Sequence, residues 1–195
     1  MQASETVTAM ATSDDAAARV RRVLADGVDA LLTDATTRTA IDYDSKLRCI
    51  SEIGALANAA GVRRKQRDGL ALCLDEMLMN AIYDAPAGEP ARDAIVRSAC
   101  DGVRFTVAVR DAFGTLSRDT VLRYLHKCLH SADPIDHKQG GAGLGLYMMV
   151  NSASEVYFEV RPGVSTEVAC VFEVAAKRVV LDGFGIFVRG TSGDG

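Results

Sequence analysis

The chain has 195 residues, 48% of them hydrophobic and 25% charged, which suits a soluble globular protein with one well-buried domain. Its net charge of -4 argues against a generic nucleic-acid binder, which needs a basic footprint, though not against a local basic patch, and no apolar run approaches the ~20 residues that span a bilayer. Cys49, Cys73, Cys100, Cys128 and Cys170 form no CxxC pair, and the start lacks the basic-then-apolar order of a signal peptide, so reduced thiols and a cytoplasmic location are expected.

Residues 1 to about 14 are small and polar and read as disordered. Asp14 or Asp15 then caps a helix through Leu32, with Val20, Val23, Leu24, Val28, Leu31 and Leu32 on one face and Gly27 as its weak point. Residues 33–45 read as a connection. A second helix spans about 46–60 and stops at Gly61. A third spans 64–83, followed by the loop DAPAGEPARD. Val103, Phe105, Val107 and Val109 alternate with polar or small residues, predicting a strand over 103–110 with one buried face. Residues 118–130 read as helix, SADPIDHKQGG as a polar loop and 144–153 as a short helix. Two alternating strands follow, with Val156, Phe158 and Val160 on one and Val168, Cys170, Phe172 and Val174 on the other, joined by the turn RPGVS. Residues 177–189 read as a last strand or hairpin. Helices early and antiparallel strands late predict an α+β fold, a two-layer sandwich with an extra N-terminal helix.

Four pieces of this chain carry chemistry. On the third helix, Glu76 and Asn80 are four apart and therefore share a face at the edge of the apolar stripe. A carboxylate beside a carboxamide suits an Mg²⁺ ion or a positioned water, and equally a solvated helix face. Asp111 continues the register of the buried valines, so its carboxylate needs a hydrogen-bond partner: a ligand amino group, or the backbone of its own turn. The run Gly140-Gly-Ala-Gly-Leu-Gly-Leu146 leads into a helix, where bare backbone N–H groups and the helix dipole favour phosphate. It follows no strand and lacks a Gly-Lys-Ser/Thr ending, so neither the dinucleotide fingerprint nor a P-loop fits. Thr166 shares the inward register of Val168 and Cys170 and places a hydroxyl inside, unless it is there for strand propensity alone. His126 and His130, four apart, have no further ligand nearby and read as surface; Arg63-Arg64-Lys65-Arg67 reads as a solvated helix start, or as a face for an acidic partner.

In this order, the four pieces resemble the boxes of the GHKL (Bergerat-fold) ATPase family over about residues 46–175. Glu76-Met-Leu-Met-Asn80 resembles the N box, Asp111-Ala-Phe-Gly114 the adenine box, Gly141-Ala-Gly-Leu-Gly-Leu146 the second glycine box, and Thr166 a late threonine near the adenine. The resemblance implies ATP and Mg²⁺ as cofactors. It implies metal ligation by Asn80, and nucleotide contacts from Asn80, Asp111, Gly114, Gly141, Gly143, Leu144, Gly145 and Thr166. It also implies a lid over 115–139, with Arg118, Lys127 and Lys138 as its cations. It divides the chain into an N-terminal extension (1–45), an ATP-binding domain (46–176) and a C-terminal strand or hairpin with tail (177–195). Within the family, the stretch from Leu47 to Ala85 looks most like the anti-sigma-factor serine kinases, in which Glu76 would be the catalytic base. The implied partner is then a sigma factor, an anti-anti-sigma-like protein or another regulator. The N-terminal helix is a candidate docking or homodimer element. Asp84, where the family often has a basic residue, and Phe113, in place of a glycine, favour a nucleotide-gated binding module without phosphotransfer. A histidine-kinase-like catalytic domain is the third reading.

Overall fold

A computed structural model describes residues 6–83, 92–130 and 142–190, with the backbone alone described at 127–130 and 142–144. Its centre is one sheet of seven strands in the order β1-β7-β5-β6-β4-β3-β2, numbered along the chain. They are β1 (Thr6–Ala11), β2 (Thr36–Ala40), β3 (Ala94–Cys100), β4 (Arg104–Arg110), β5 (Glu155–Arg161), β6 (Ser165–Glu173) and β7 (Gly183–Val188). All pairings are antiparallel except β5 with β7. The three strands expected from alternation, β4, β5 and β6, lie side by side in that sheet.

The expected sandwich is present. Helices α2 (Tyr43–Ala59), α3 (Arg64–Tyr83) and α5 (Ala142–Ser152) form its second layer, and α4 (Arg118–His130) packs on α5. Ile53, Leu70, Leu74 and Leu78 from the helices meet Val107, Val156 and Ile186 from the sheet with no exposed surface. Small residues bring α3 and α5 together. A methyl group on Gly69 would approach Ser152 Cβ to 2.8 Å, and one on Gly145 would approach Glu76 Oε2 to 2.9 Å. Both separations are below van der Waals contact.

Several sequence expectations need correction. Residues 6–11 are not disordered: β1 pairs along β7, from Thr6 with Val188 to Ala11 with Gly183. A backbone ladder holds this strand while most of its side chains stay exposed, so composition carried no signal for it. The first helix, α1, runs only from Asp14 to Asp26. Its cap is Ser13, whose hydroxyl accepts from Ala16 N at 3.1 Å. It ends at Gly27, where φ is +79°, and a 3-10 turn over Val28–Leu31 replaces its last part. The stretch 33–45 is not mere connection, because it contains β2, an edge strand on β3. It also contains the start of α2, which begins three residues early because Asp42 and Ser45 form a capping box. Strand β3 went unforeseen, and Val103, 60% exposed, precedes β4 rather than joining its buried face.

The largest correction concerns the expectation of one buried face. Ala108, Tyr157, Ala169, Val171 and Phe187, of opposite register, are also buried, against Val23, Val28 and Leu32. The extra N-terminal helix covers the sheet's outer face. Three glutamates on that face are buried with it: Glu155 (1% exposed), Glu159 (5%) and Glu167 (2%). Glu159 and Glu167 lie directly opposite each other across the β5–β6 pair, a repulsive arrangement that requires counter-charge. Arginines supply it. Glu167 pairs with Arg97 at 2.6 Å and Arg110 at 2.7 Å. Glu159 pairs with Arg161 at 3.0 Å and Arg189 at 3.3 Å, and accepts from Val28 N at 2.8 Å. Glu155 pairs with Arg19 of α1, and the Tyr157 hydroxyl donates to it at 2.6 Å. Burial, then the neighbouring Glu155 charge, pushes the Tyr157 phenol far above its usual range.

Removing one partner of a buried pair strands the other charge. Arg19→Ala is expected to lower unfolding free energy by about 3–5 kcal/mol, and the double variant Arg19→Leu/Glu155→Leu to regain most of that loss. Chemical denaturation of the parent and both variants measures it.

Candidate functional site

The cavity that matters opens between the sheet and the helical layer, at the C-terminal ends of α3 and β4. It holds about 250 Å³ and is lined by α3, α4, α5, β4, β5, β6 and the turn between β4 and α4. Its floor is apolar, from Met77, Val109, Leu146, Met149, Phe158 and Val168. Asn80, Asp111 and Thr166 bring polar atoms to it. An apolar slot with a few convergent polar groups suits a flat, partly polar ligand.

The polar groups are set by the backbone. Asp111 follows β4, and its Oδ1 accepts from Phe113 N at 2.8 Å, Gly114 N at 3.0 Å and Thr166 N at 2.9 Å. The turn bonding weighed for Asp111 is therefore real, but it occupies one carboxylate oxygen. Oδ2 has no partner among the described residues, and Asp111 lines the cavity. Beside it, Thr166 Oγ1 is a buried hydroxyl without a partner among the described residues. An orphaned hydroxyl and a free carboxylate oxygen in one slot match a ligand edge offering both a donor and an acceptor, such as an adenine amino group with its ring nitrogen.

Gly114 takes no part in the lining. With φ at +63°, it admits the β5–β6 hairpin so closely that a side chain there would run into Arg161 O, Val164 N and Ser165 N. The Phe113 departure from a glycine is a cavity wall, 6% exposed, with the Arg92 guanidinium 5.3 Å from its ring centre. Alternation gave no hint of this wall, nor of Leu116 and Tyr124.

Asn80 is exposed at the mouth of the cavity. Glu76, one turn earlier, does not line the cavity but lies against Gly145 of the glycine run. Its carboxylate has no hydrogen-bond partner among the described residues. Burial pushes its carboxyl above the ordinary glutamate range; Asp75 adds to this and Lys46 opposes it. Lys46, buried at the start of α2, is held by Asp75 at 2.6 Å and was not singled out by the sequence. Gly143, Leu144 and Gly145 fall in the first turn of α5, which begins at Ala142 rather than at Leu144, so their backbone belongs to the helix N-terminus. Gly141, Asp84, Lys138 and residues 131–139 of the lid lie outside the described residues, as do the side chains of Leu144, Lys127 and His130. The described part of the lid is the turn after Asp111 and α4. Of the lid cations, Arg118 donates to Thr8 of β1 at 2.7 Å. Of the basic cluster, Arg63 and Arg67 donate to the carbonyls of Ala175 and Val62. Among the described residues no cluster of three metal-ligating side chains occurs, and no helix is long and apolar enough to cross a membrane.

The family model of the histidine kinase-like ATPase domain matches residues 45–171. The chain belongs to that family. The matched stretch runs from the start of α2 into β6 and contains every residue of the cavity. A search of curated proteins finds no match. The ATPase-domain membership, with the free polar atoms of the slot, supports an ATP-binding regulatory domain of GHKL type.

Asp111→Asn retains Oδ1 for the three backbone N–H groups and replaces Oδ2 by a donor. The fold is expected to persist while ATP affinity falls by about 1.5–3 kcal/mol, the worth of a hydrogen bond to a charged group. Calorimetric titration together with a thermal melt separates the two effects.

Proposed function

We propose that the protein is a regulatory protein-serine kinase that uses ATP and Mg²⁺ and phosphorylates a protein partner, in the manner of an anti-sigma factor. The observation that carries this reading is the unpaired, half-buried Glu76 carboxylate packed on Gly145. It puts a base with a raised pKa at the helix terminus suited to phosphate. The adenine edge is read by Asp111 Oδ2 and Thr166 Oγ1, and Asn80 holds the metal at the cavity mouth. Bound Mg²⁺ would neutralise phosphate charge. In the transfer, a serine hydroxyl of the partner forms a new bond to the γ-phosphorus, the bond from that phosphorus to the bridging oxygen breaks with ADP as leaving group, and the hydroxyl proton passes to Glu76. The partner is a sigma factor, an anti-anti-sigma-like protein or another regulator.

A second reading, a nucleotide-gated binding module, draws support from the absence of any lysine or arginine among the described residues lining the cavity.

Two substitutions separate these readings. Asn80→Ala is expected to weaken Mg²⁺-dependent ATP binding. Glu76→Gln is expected to leave binding intact and to slow phosphotransfer by about 10²–10⁴. In the parent, the acid limb of the rate profile should fall above the ordinary glutamate range, because Glu76 must be ionised to accept the proton and its carboxyl is shifted upward; the limb disappears in Glu76→Gln. Assays with labelled ATP and candidate partners measure both. Transfer by Glu76→Gln at the parent rate removes Glu76 as base, and ATP binding without transfer to any partner leaves the module.

A further inference from the structure

The sheet ends in two edge strands, β1 and β2. β2 carries Arg38 at its centre, paired with Glu52 of α2. β1 reads Thr-Val-Thr-Ala-Met-Ala, with no charge, no proline and an unbroken register along β7. It lacks the features that keep an edge strand from pairing again.

The ladder decides which of its main-chain groups are open. Thr12 N donates to Asp182 O at 2.8 Å, and bonding directions alternate along a strand, so Thr6, Thr8 and Met10 turn their N–H and C=O groups to β7. Those of Val7, Ala9 and Ala11 turn outward and have no partner among the described residues. Side chains alternate in the same way. Thr8 accepts from Arg118 on the helical side of the sheet, so Val7, Ala9 and Ala11 face the side of α1.

The helix continues that surface. α1 packs over both β1 and β7. Its flank toward β4 is charged: Asp15 pairs with Arg104 at 3.4 Å, and Arg22 lines a cavity with Arg104 and Asp101. Its opposite flank, toward the open edge, carries Ala17, Val20 and Leu24, which share a face at i, i+3 and i+7. Leu24 is 36% exposed, and Val7, on the same side of the sheet, is 40% exposed. An open ladder beside an apolar helix flank fits a partner that brings the same two elements, and a second copy of this chain brings both.

The open groups are centred on Ala9. A two-fold axis there sets Ala9 opposite Ala9 and Val7 opposite Ala11 in antiparallel pairing, and about six new hydrogen bonds satisfy every outward group of both strands. Any other register leaves one of the three residues unmatched within the strand. Strands lie about 4.8 Å apart, so a helix over β1 and β7 is about that far from the axis. The two α1 helices then run about 9–10 Å apart, the distance of packed helices.

We propose that the protein forms a symmetric dimer through its β1 edges, joining two seven-stranded sheets into one and packing the Ala17, Val20 and Leu24 flanks of α1 across the axis. The contact is isologous, so it consumes both β1 edges and stops at two copies. β1 and α1 lie outside residues 45–171, and the dimer is independent of the phosphotransfer reading.

Sedimentation equilibrium of the full chain across the micromolar range, without nucleotide, should give twice the chain mass. Ala9→Pro removes an outward N–H and no bond to β7, so the variant should keep its circular dichroism spectrum and associate at least about tenfold more weakly. Leu24→Glu should weaken association likewise, and it supplies the reading if Ala9→Pro does not fold. Cysteine pairing tests the register. Ala9→Cys, about 5.5 Å from its counterpart between Cα atoms, should give a disulfide-linked dimer on mild oxidation, beyond any formed by the parent. Val7→Cys, roughly 14 Å from its counterpart, should not. A monomeric parent overturns the proposal. So does parent-like association in a folded Ala9→Pro or in Leu24→Glu, or a link that forms in Val7→Cys and not in Ala9→Cys.

Discussion

One carboxylate oxygen organises the nucleotide slot. Asp111 Oδ1 gathers three backbone N–H groups from two separate segments, the turn after β4 and the first residues of β6. That clamp fixes the position of Thr166 and turns Oδ2 into a group with a single orientation. It also explains Gly114, since the turn held by Asp111 must pass so near the β5–β6 hairpin that only a residue without a side chain fits. The adenine reading, the loop geometry and the hairpin contact are consequences of the same constraint. Preorganisation of this kind places its entropic cost in folding rather than in binding.

The inner half of the molecule was legible because its patterns are strong. The apolar stripe of α3 and the alternation in β4, β5 and β6 each face one large core, so periodicity reports them directly. The outer half was not. Glu155, Glu159 and Glu167 fall in the polar register of their strands and read as solvent-facing; nothing local reveals that arginines distant in sequence, such as Arg19 and Arg189, will close over them. Strands β1 and β2 are edges whose side chains are largely exposed, so ladder hydrogen bonds, and not composition, make them strands. In the site, Asp111 and Thr166 could be placed from register, but the division of labour between the two oxygens of Asp111 depends on a contact 55 residues away.

Burying three carboxylates beneath a helix is an unusual way to cover a sheet. Charge pairs of this depth contribute little net stability compared with apolar packing, yet they penalise any arrangement that leaves one of them unmatched. The outer layer is therefore defined by matching as much as by burial: α1 sits where Arg19 meets Glu155 and where Arg189 reaches the carbonyls of Val23 and Leu24.

The tie between Arg118 and Thr8 gives the N-terminal strand a reach beyond its own edge. Thr8 belongs to β1, which lies outside the stretch matched by the family model, while Arg118 is the first residue of the helix that roofs the slot. A fragment trimmed to residues 45–171 would lack that anchor, together with Arg19, Arg189 and the strand β7 that borders β5. The family segment holds the cavity, but an expression fragment cut at those limits would leave Glu155 without its arginine, Glu159 with one arginine in place of two, and the roof helix without its tether.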